Sequence, residues 1–405
     1  MSVKAKIPLE MSVKAFLEKL RPVSAKSVFR FVTGNQSADM DSVVSAISYA
    51  YFYNQKNPSE QPYLPLVNIT RDELRLRRDI VLLLQSHSIS KDQLFFLDDV
   101  HELTKSAQSK LEIVLVDHCG LQGELLNALY DTQRLSVAAI IDHHADEGVF
   151  TNASPRIIHS NGSCSALVFN YWNRELGGIQ DTEIVLMLLG PLLIDTSNMT
   201  QKVEAGDVEA FDHYKAVLLG GPTALQTAAV VNGSTPIEGF YLTLKAAKKN
   251  LEGFLFFDIL RKDYKQFKFS GKSGESVTIG FSSLGKSMAW ILKKFSTSQI
   301  TETFDQMVQT FHLDVVVITT SYTKKETGEY TREFCYYPTK KSLEGLSNYL
   351  DPLQLDKNIY NKKEVEMAVE EISKTRSFHV YNQVNIRASR KQVVPAVKDA
   401  IEAKF

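Results

Sequence analysis

Val28-Phe29-Arg30-Phe31-Val32-Thr33-Gly34-Asn35-Gln36-Ser37-Ala38-Asp39-Met40-Asp41-Ser42 is the stretch whose reading decides the fold of this 405-residue chain. Its first six residues are β-rich, the next run is loop-like, and Val43 to Tyr53 carries apolar residues at helical spacing, so it reads as strand, loop, helix. Further on, Ile113-Val114-Leu115-Val116 ends at Asp117-His118, and Val137-Ala138-Ala139-Ile140-Ile141 ends at Asp142-His143-His144. Both runs have the length and composition of buried parallel strands. Leu192-Leu193-Ile194, a further apolar run at the end of a strand or a helix, leads into Asp195. Ligands of an open parallel sheet collect outside the carboxyl ends of its strands, so separate segments would deliver their acids to one crevice of an α/β domain.

Carboxylates and imidazoles are costly at the margin of an apolar core unless something holds them, and a cation does so directly. Asp39 and Asp41 are two apart in a loop and can each face a different cation, while Asp117 can bridge both with its two oxygens. Two cations about 3.5 to 4 Å apart lower the pKa of water from about 15.7 toward about 7 and neutralise a phosphoryl group during in-line attack. Either His143 or His144 can serve as a ligand, with the other donating a proton to the leaving oxygen. Taken singly, Asp39-x-Asp41 reads as a turn or helix cap, the histidine pair as surface residues, and Asp195 as a helix terminus. The ordered set at four element ends is what points to a two-metal hydrolytic site.

These residues resemble a known family. Gly34-Asn35-x-x-x-Asp39-x-Asp41-Ser42, Asp117, Asp142-His143-His144 and Leu193-Ile194-Asp195-Thr196 are similar to the motifs of the DHH phosphoesterase superfamily. Ser389-Arg390-Lys391-Gln392-Val393-Val394-Pro395 resembles the signature of its DHHA2 domain, shared by family II inorganic pyrophosphatases, prune proteins and fungal-type cytosolic exopolyphosphatases. The runs Gly162 to Trp172, Leu193 to Met199 and Lys262 to Phe267 resemble the fungal-type exopolyphosphatases most. Asn35 stands where family II pyrophosphatases carry His, and His144 is present where prune proteins usually lack the second histidine.

The resemblance implies that Asp39 holds one divalent cation, that Asp41, His143 and Asp195 hold the other, and that Asp117 bridges them. His144 would contact substrate phosphate and assist the leaving group, while Arg390, Lys391 and Lys265 would bind phosphate. Lys202, seven residues after Asp195, is a further substrate-binding candidate. An amide at Asn35, counted with the metal ligands, is harder than imidazole and argues for Mg²⁺, with Mn²⁺ or Co²⁺ as alternatives. The expected activity is release of orthophosphate from the ends of inorganic polyphosphate. Pyrophosphatase or prune-like nucleotide phosphodiesterase activity is the enzymatic alternative, and a non-catalytic polyphosphate-binding scaffold is the other.

Length and punctuation divide the chain into an N-terminal parallel-sheet domain over residues 1–222, a linker region over 223–240 and a smaller α+β domain over 241–405, with the site expected in the cleft between domains. Gly220-Gly221-Pro222 and Asn232-Gly233-Ser234-Thr235-Pro236 supply the punctuation, and Leu242 to Asp258 reads as one Lys-rich helical stretch. With 46 basic and 47 acidic side chains the net charge is -1, so a polyanion must be recognised by locally grouped cations, and a general nucleic-acid binder is disfavoured. Arg71, Arg75, Arg77 and Arg78 read as a solvated face paired with neighbouring acids.

Three isolated cysteines, Cys119, Cys164 and Cys335, point to a reducing compartment, with Cys164 a buried thiol lacking a paired base. No run of about 18 apolar residues suggests a membrane span. A cytoplasmic monomer without nucleic-acid or membrane partners is expected. Met1-Ser2-Val3-Lys4-Ala5 recurs as Met11-Ser12-Val13-Lys14-Ala15, too short to be a structural repeat.

Overall fold

The computed structural model describes residues 11–21, 23, 27–219, 235–272, 274–357, 363–374 and 377–405. Two compact units divide it, Met1–Asn250 and Leu251–Phe405. The Met1 to Ala5 copy of the pentapeptide and the linker punctuation from Gly220 to Ser234 lie outside the described residues.

The first unit runs α1 (Val13–Lys19), β1 (Val28–Thr33), α2 (Met40–Lys56), β2 (Leu64–Val67), α3 (Arg78–Ser86), β3 (Phe95–Phe96), α4 (Leu97–Leu103), β4 (Lys110–Val116), α5 (Glu124–Asp131), β5 (Leu135–Asp142), β6 (Arg156–Ile158), α6 (Cys164–Leu176), α7 (Thr182–Asp195), α8 (Ala205–Leu219) and α9 (Pro236–Lys249). Its six strands form one parallel sheet in the order β3-β2-β1-β4-β5-β6. Phe31, Val32, Ile113, Val114, Ile140 and Ile141 are fully or almost fully buried, as expected of strands covered on both faces. Helix α7 is apolar all round, with Ile184 to Leu189, Leu192 and Leu193 buried, because it lies inside the core and not over it. Truncating Leu189 to Ala there would cost about 2–5 kcal/mol.

The second unit runs α10 (Phe256–Arg261), β7 (Tyr264–Ser270), β8 (Ser276–Leu284), α11 (Met288–Lys294), α12 (Thr297–Phe311), β9 (Val315–Thr323), β10 (Tyr330–Pro338), β11 (Leu355–Asp356), α13 (Lys363–Ser373), β12 (His379–Gln383) and α14 (Arg390–Lys404). The sheet order is β11-β12-β10-β9-β8-β7, with β8 and β9 parallel and the other neighbours antiparallel. Alternate residues face two layers. Val315, Val317, Phe334 and Tyr336 join Val393, Val397 and Ile401 of α14 in one core cluster, while Tyr337 meets Phe304 of α12 on the other face.

The α/β first unit and α+β second unit match the expected fold class. The Lys-rich stretch is a correction: Leu242 to Asp258 is two helices, not one. Helix α9 ends at Lys249, Asn250 is extended, and Gly253 adopts φ +72 before α10 starts at Phe256. Glycine takes that left-handed turn in the connection between the two helices at little cost.

Candidate active site

Strand order reverses between β1 and β4, whose onward connections run to opposite halves of the sheet. Such a switch point opens a crevice outside the strand ends. The chain leaving β1 turns through Gly34 to Ala38 and enters α2 at Asp39, whose carboxylate caps the helix by accepting the Ser42 N–H at 3.0 Å. Gly34 allows this tight return, since a Cβ there would stand 2.4 Å from that of Ser42. The next strand, β4, ends at Val116, so Asp117 emerges beside this turn.

Asp117 is buried and held in the left-handed region at φ +60. Its N–H donates to the Ile141 carbonyl at 3.1 Å and to Cys164 Sγ at 3.2 Å. Its Oδ2 accepts from Asn35 Nδ2 at 2.7 Å and Ser42 Oγ at 2.6 Å, while Oδ1 lies 3.1 Å from His143 Nε2 and 3.8 Å from His144 Nδ1. Ligand atoms of Asp117, His143 and His144 all fall within 4.8 Å of one another.

Asp142, the last residue of β5, accepts His144 Nδ1 at 2.7 Å and the His143 and His144 N–H groups at 2.7 and 3.2 Å, all on Oδ1. His143 Nδ1 bonds the Asn161 carbonyl at 3.0 Å, which turns Nε2 toward Asp117. Asp41, in the first turn of α2, accepts Ser163 Oγ at 2.7 Å and the Cys164 and Ser165 N–H groups at 2.6 and 2.8 Å, across the start of α6. Asp195 closes α7 and is followed by three consecutive left-handed residues, Ser197, Asn198 and Met199.

Electrostatics tie these acids together. Burial, then repulsion from Asp117, pushes the Asp41 carboxyl up to about 6. Burial and Asp41 push Asp195 well above the ordinary carboxylate range; Lys248 of α9 opposes this, while Asp39 and Asp117 add to it. Burial alone would raise Asp117 too, but the His143 hydrogen bond and the charges of His143 and His144 hold it well below its ordinary value. Carboxylates that repel one another away from water, beside imidazole nitrogens, are a donor set that fits a divalent cation.

Among the expected ligands, Asp39, Asp41, Asp117, His143 and Asp195 are thus linked by contacts or by mutual repulsion, and His144 belongs with them. Asn35 turns its amide NH₂ to Asp117, while its Oδ1 accepts the Ser37 N–H at 2.9 Å. Lys202 is exposed on the first unit. In the second unit Arg390 opens α14, its guanidinium donating to Asp263 Oδ1 at 2.7 Å and the Asp263 carbonyl at 3.0 Å; Lys391 follows, exposed, and Lys265 lies on β7.

Several contributors escaped the sequence reading. The Arg77 guanidinium is buried and donates to the carbonyls of Ser37, Ala38 and Glu73, pinning the loop before Asp39 where a solvated face was expected. Arg75 does pair with Asp72 as expected. Ser42 closes the Gly34 to Ser42 motif, yet its bond to Asp117 is visible only in three dimensions. Cys164 is buried, free and bonded to backbone.

The DHH family N-terminal domain matches residues 30–191 and the DHHA2 domain matches residues 242–400. The chain belongs to the DHH family and carries a DHHA2 domain. It is 32% identical over 401 residues to a Schizosaccharomyces pombe protein provisionally named an exopolyphosphatase, covering 96% of this chain and 95% of that one. It is 26% identical over 399 residues to Homo sapiens exopolyphosphatase PRUNE1, covering 97% and 78%. The fold is similar to the crystal structure of a Methanococcus jannaschii protein provisionally assigned as a family II inorganic pyrophosphatase, with a TM-score of 0.55 and 19% identity over 92% of this chain and 99% of that one.

Proposed function

We propose that this chain is an exopolyphosphatase that hydrolyses the terminal phosphoanhydride bond of inorganic polyphosphate and releases orthophosphate. The observation that carries the reading is the cluster of buried Asp117 with partly buried His143 and His144 among the mutually repelling Asp39, Asp41 and Asp195. Similarity to a protein whose name carries that activity supports it. Asp39 is assigned to one divalent cation, Asp41, His143 and Asp195 to a second, and Asp117 to both. Bound there, Mg²⁺, or alternatively Mn²⁺ or Co²⁺, would acidify the attacking water and neutralise phosphoryl oxygens.

The rest of the work belongs to the chain. Asn35 and Ser42 hold one oxygen of Asp117, so that the carboxylate keeps its orientation. Asp142 orients the His144 ring through Nδ1, and from the protonated imidazole Nε2 would donate a proton to the departing phosphate oxygen. Arg390, its planar fork oriented by Asp263, is assigned with Lys391, Lys265 and Lys202 to substrate phosphates. The protein is read as a cytoplasmic monomer, in keeping with three free cysteines.

The test is to incubate purified protein with long-chain polyphosphate, tripolyphosphate and pyrophosphate in Mg²⁺ and to resolve the products over time. Orthophosphate with progressive shortening of the long chains is the expected result. Hydrolysis confined to pyrophosphate would replace this reading with a pyrophosphatase, and hydrolysis of none would remove it.

A further inference from the structure

We propose that Asp207 is a positioning residue for the metal centre, acting through the turn Asn161-Gly162-Ser163 on His143 and Asp41 together. The inference rests on the reading that those two residues hold a divalent cation. Asp207 is fully buried in the first turn of α8, and its carboxylate accepts four donors. Oδ1 accepts Asn161 Nδ2 at 2.7 Å and the Ser163 N–H at 3.1 Å; Oδ2 accepts the Gly162 N–H at 2.7 Å and the Glu204 N–H at 2.9 Å. Reaching back to Glu204 is ordinary capping of the helix that Asp207 belongs to. The other three donors come from one distant turn, and helix capping does not account for them.

The turn is shaped for this approach. A Cβ on Gly162 would stand 2.6 Å from the Lys202 carbonyl oxygen, 2.6 Å from Thr196 Cγ2 and 2.8 Å from Asp207 Oδ2, so a larger residue would push the turn off the carboxylate. Both ends of the turn reach the site. At one end, the Asn161 carbonyl accepts His143 Nδ1 at 3.0 Å, which selects the tautomer whose Nε2 lies 3.1 Å from Asp117 Oδ1. At the other, Ser163 Oγ and the N–H groups of Cys164 and Ser165 all donate to Asp41. One carboxylate outside the assigned ligands therefore sets the orientation of two of them. Charge-assisted bonds to backbone N–H groups are strong enough to fix a turn in one place.

The probe is Mn²⁺ alone, titrated calorimetrically into full-length protein, with thermal unfolding of the metal-free form measured in parallel. Asp207→Asn is expected to weaken Mn²⁺ binding by about 10–100-fold, the range for partners that orient ligands. Leu218→Ala, a truncation in the buried face of the same helix, is expected to lower the melting temperature and leave Mn²⁺ affinity at the wild-type value. Asn161→Ala removes one donor of the three and is expected to weaken binding in the same direction by less; it supplies the reading if Asp207→Asn does not fold. Unchanged affinity in the folded Asp207 or Asn161 variant overturns this inference alone. So does loss of affinity in step with melting temperature across all variants, Leu218→Ala included. A wild-type protein that binds no Mn²⁺ overturns the metal reading and this inference together.

Discussion

Asp117 meets Asn35, Ser42, His143 and His144 through its two carboxylate oxygens while its backbone is held left-handed, so no other residue type can take its place without breaking contacts on every side. Replacing Asp117 with Ala should reduce phosphate release by at least about a thousandfold, roughly 4 kcal/mol of barrier. Near-normal turnover of that variant in saturating Mg²⁺ would end the two-metal assignment. Asp41 makes a second prediction. Because its carboxyl sits above its ordinary value, the folded metal-free protein takes up a proton more readily than the unfolded chain, and this contribution to stability is present at acid pH and lost as pH rises through about 6. A cation must displace that proton, so its effect runs the other way. The rise in melting temperature on adding Mn²⁺ should be larger at about pH 7.5 than at about pH 5. Equal rises would mean that Asp41 does not bind the ion.

Loops between elements hold the site, and a buried arginine holds the loop before α2. Arg77 donates to the Ser37 carbonyl at 2.7 Å and 3.0 Å and to Ala38 at 3.2 Å, fixing the approach to α2. Arg77→Met would leave those buried acceptors unsatisfied at a cost of about 2 kcal/mol or more, and the melting temperature should fall by about 4 °C or more. A melting curve superimposable on wild type would show that the loop stands without it. Helix α14 begins with a different kind of arginine. Arg390 and Asp263 form a partly exposed pair worth about 0–1 kcal/mol, so Arg390→Lys should shift the melting temperature by at most about 2 °C. Loss of the planar fork should nevertheless lower kcat/KM on polyphosphate by about tenfold. If stability and activity fall together, Arg390 belongs to an ion-pair network and not to substrate binding.

Across the whole molecule, each unit closes its own apolar core: one cluster surrounds α7 and the parallel sheet, and another joins α14 to the mixed sheet. A fragment of residues 251–405 should therefore fold alone and melt cooperatively, as followed by circular dichroism; a featureless melt would show that its core is incomplete. At a net charge of -1 the chain has no general field to draw in a polyanion, so substrate capture has to come from a few positioned cations.

The parallel-sheet domain was legible in the sequence because strands covered on both faces must be continuous apolar runs, and an acid at the end of such a run stands out. Val28 to Thr33, Ile113 to Val116 and Val137 to Ile141 could be placed on that basis, and Asp39, Asp41, Asp117, His143 and His144 after them, while Asp195 closes the apolar helix α7. The break in the Lys-rich stretch was not legible, since α9 ends where Asn250 turns extended, with no proline or glycine at that residue to mark it. Nor was the burial of Arg77, whose charged neighbours in sequence suggested water while its partners are carbonyls of a loop 40 residues away. The tie from Asp207 through Asn161 to His143 lay furthest from view. Asn161 acts on His143 through a backbone carbonyl, which any residue carries, and it meets Asp207 across 46 residues. Residue types and local spacing reveal which groups can do chemistry; which groups hold them in place is decided only when the chain folds back on itself.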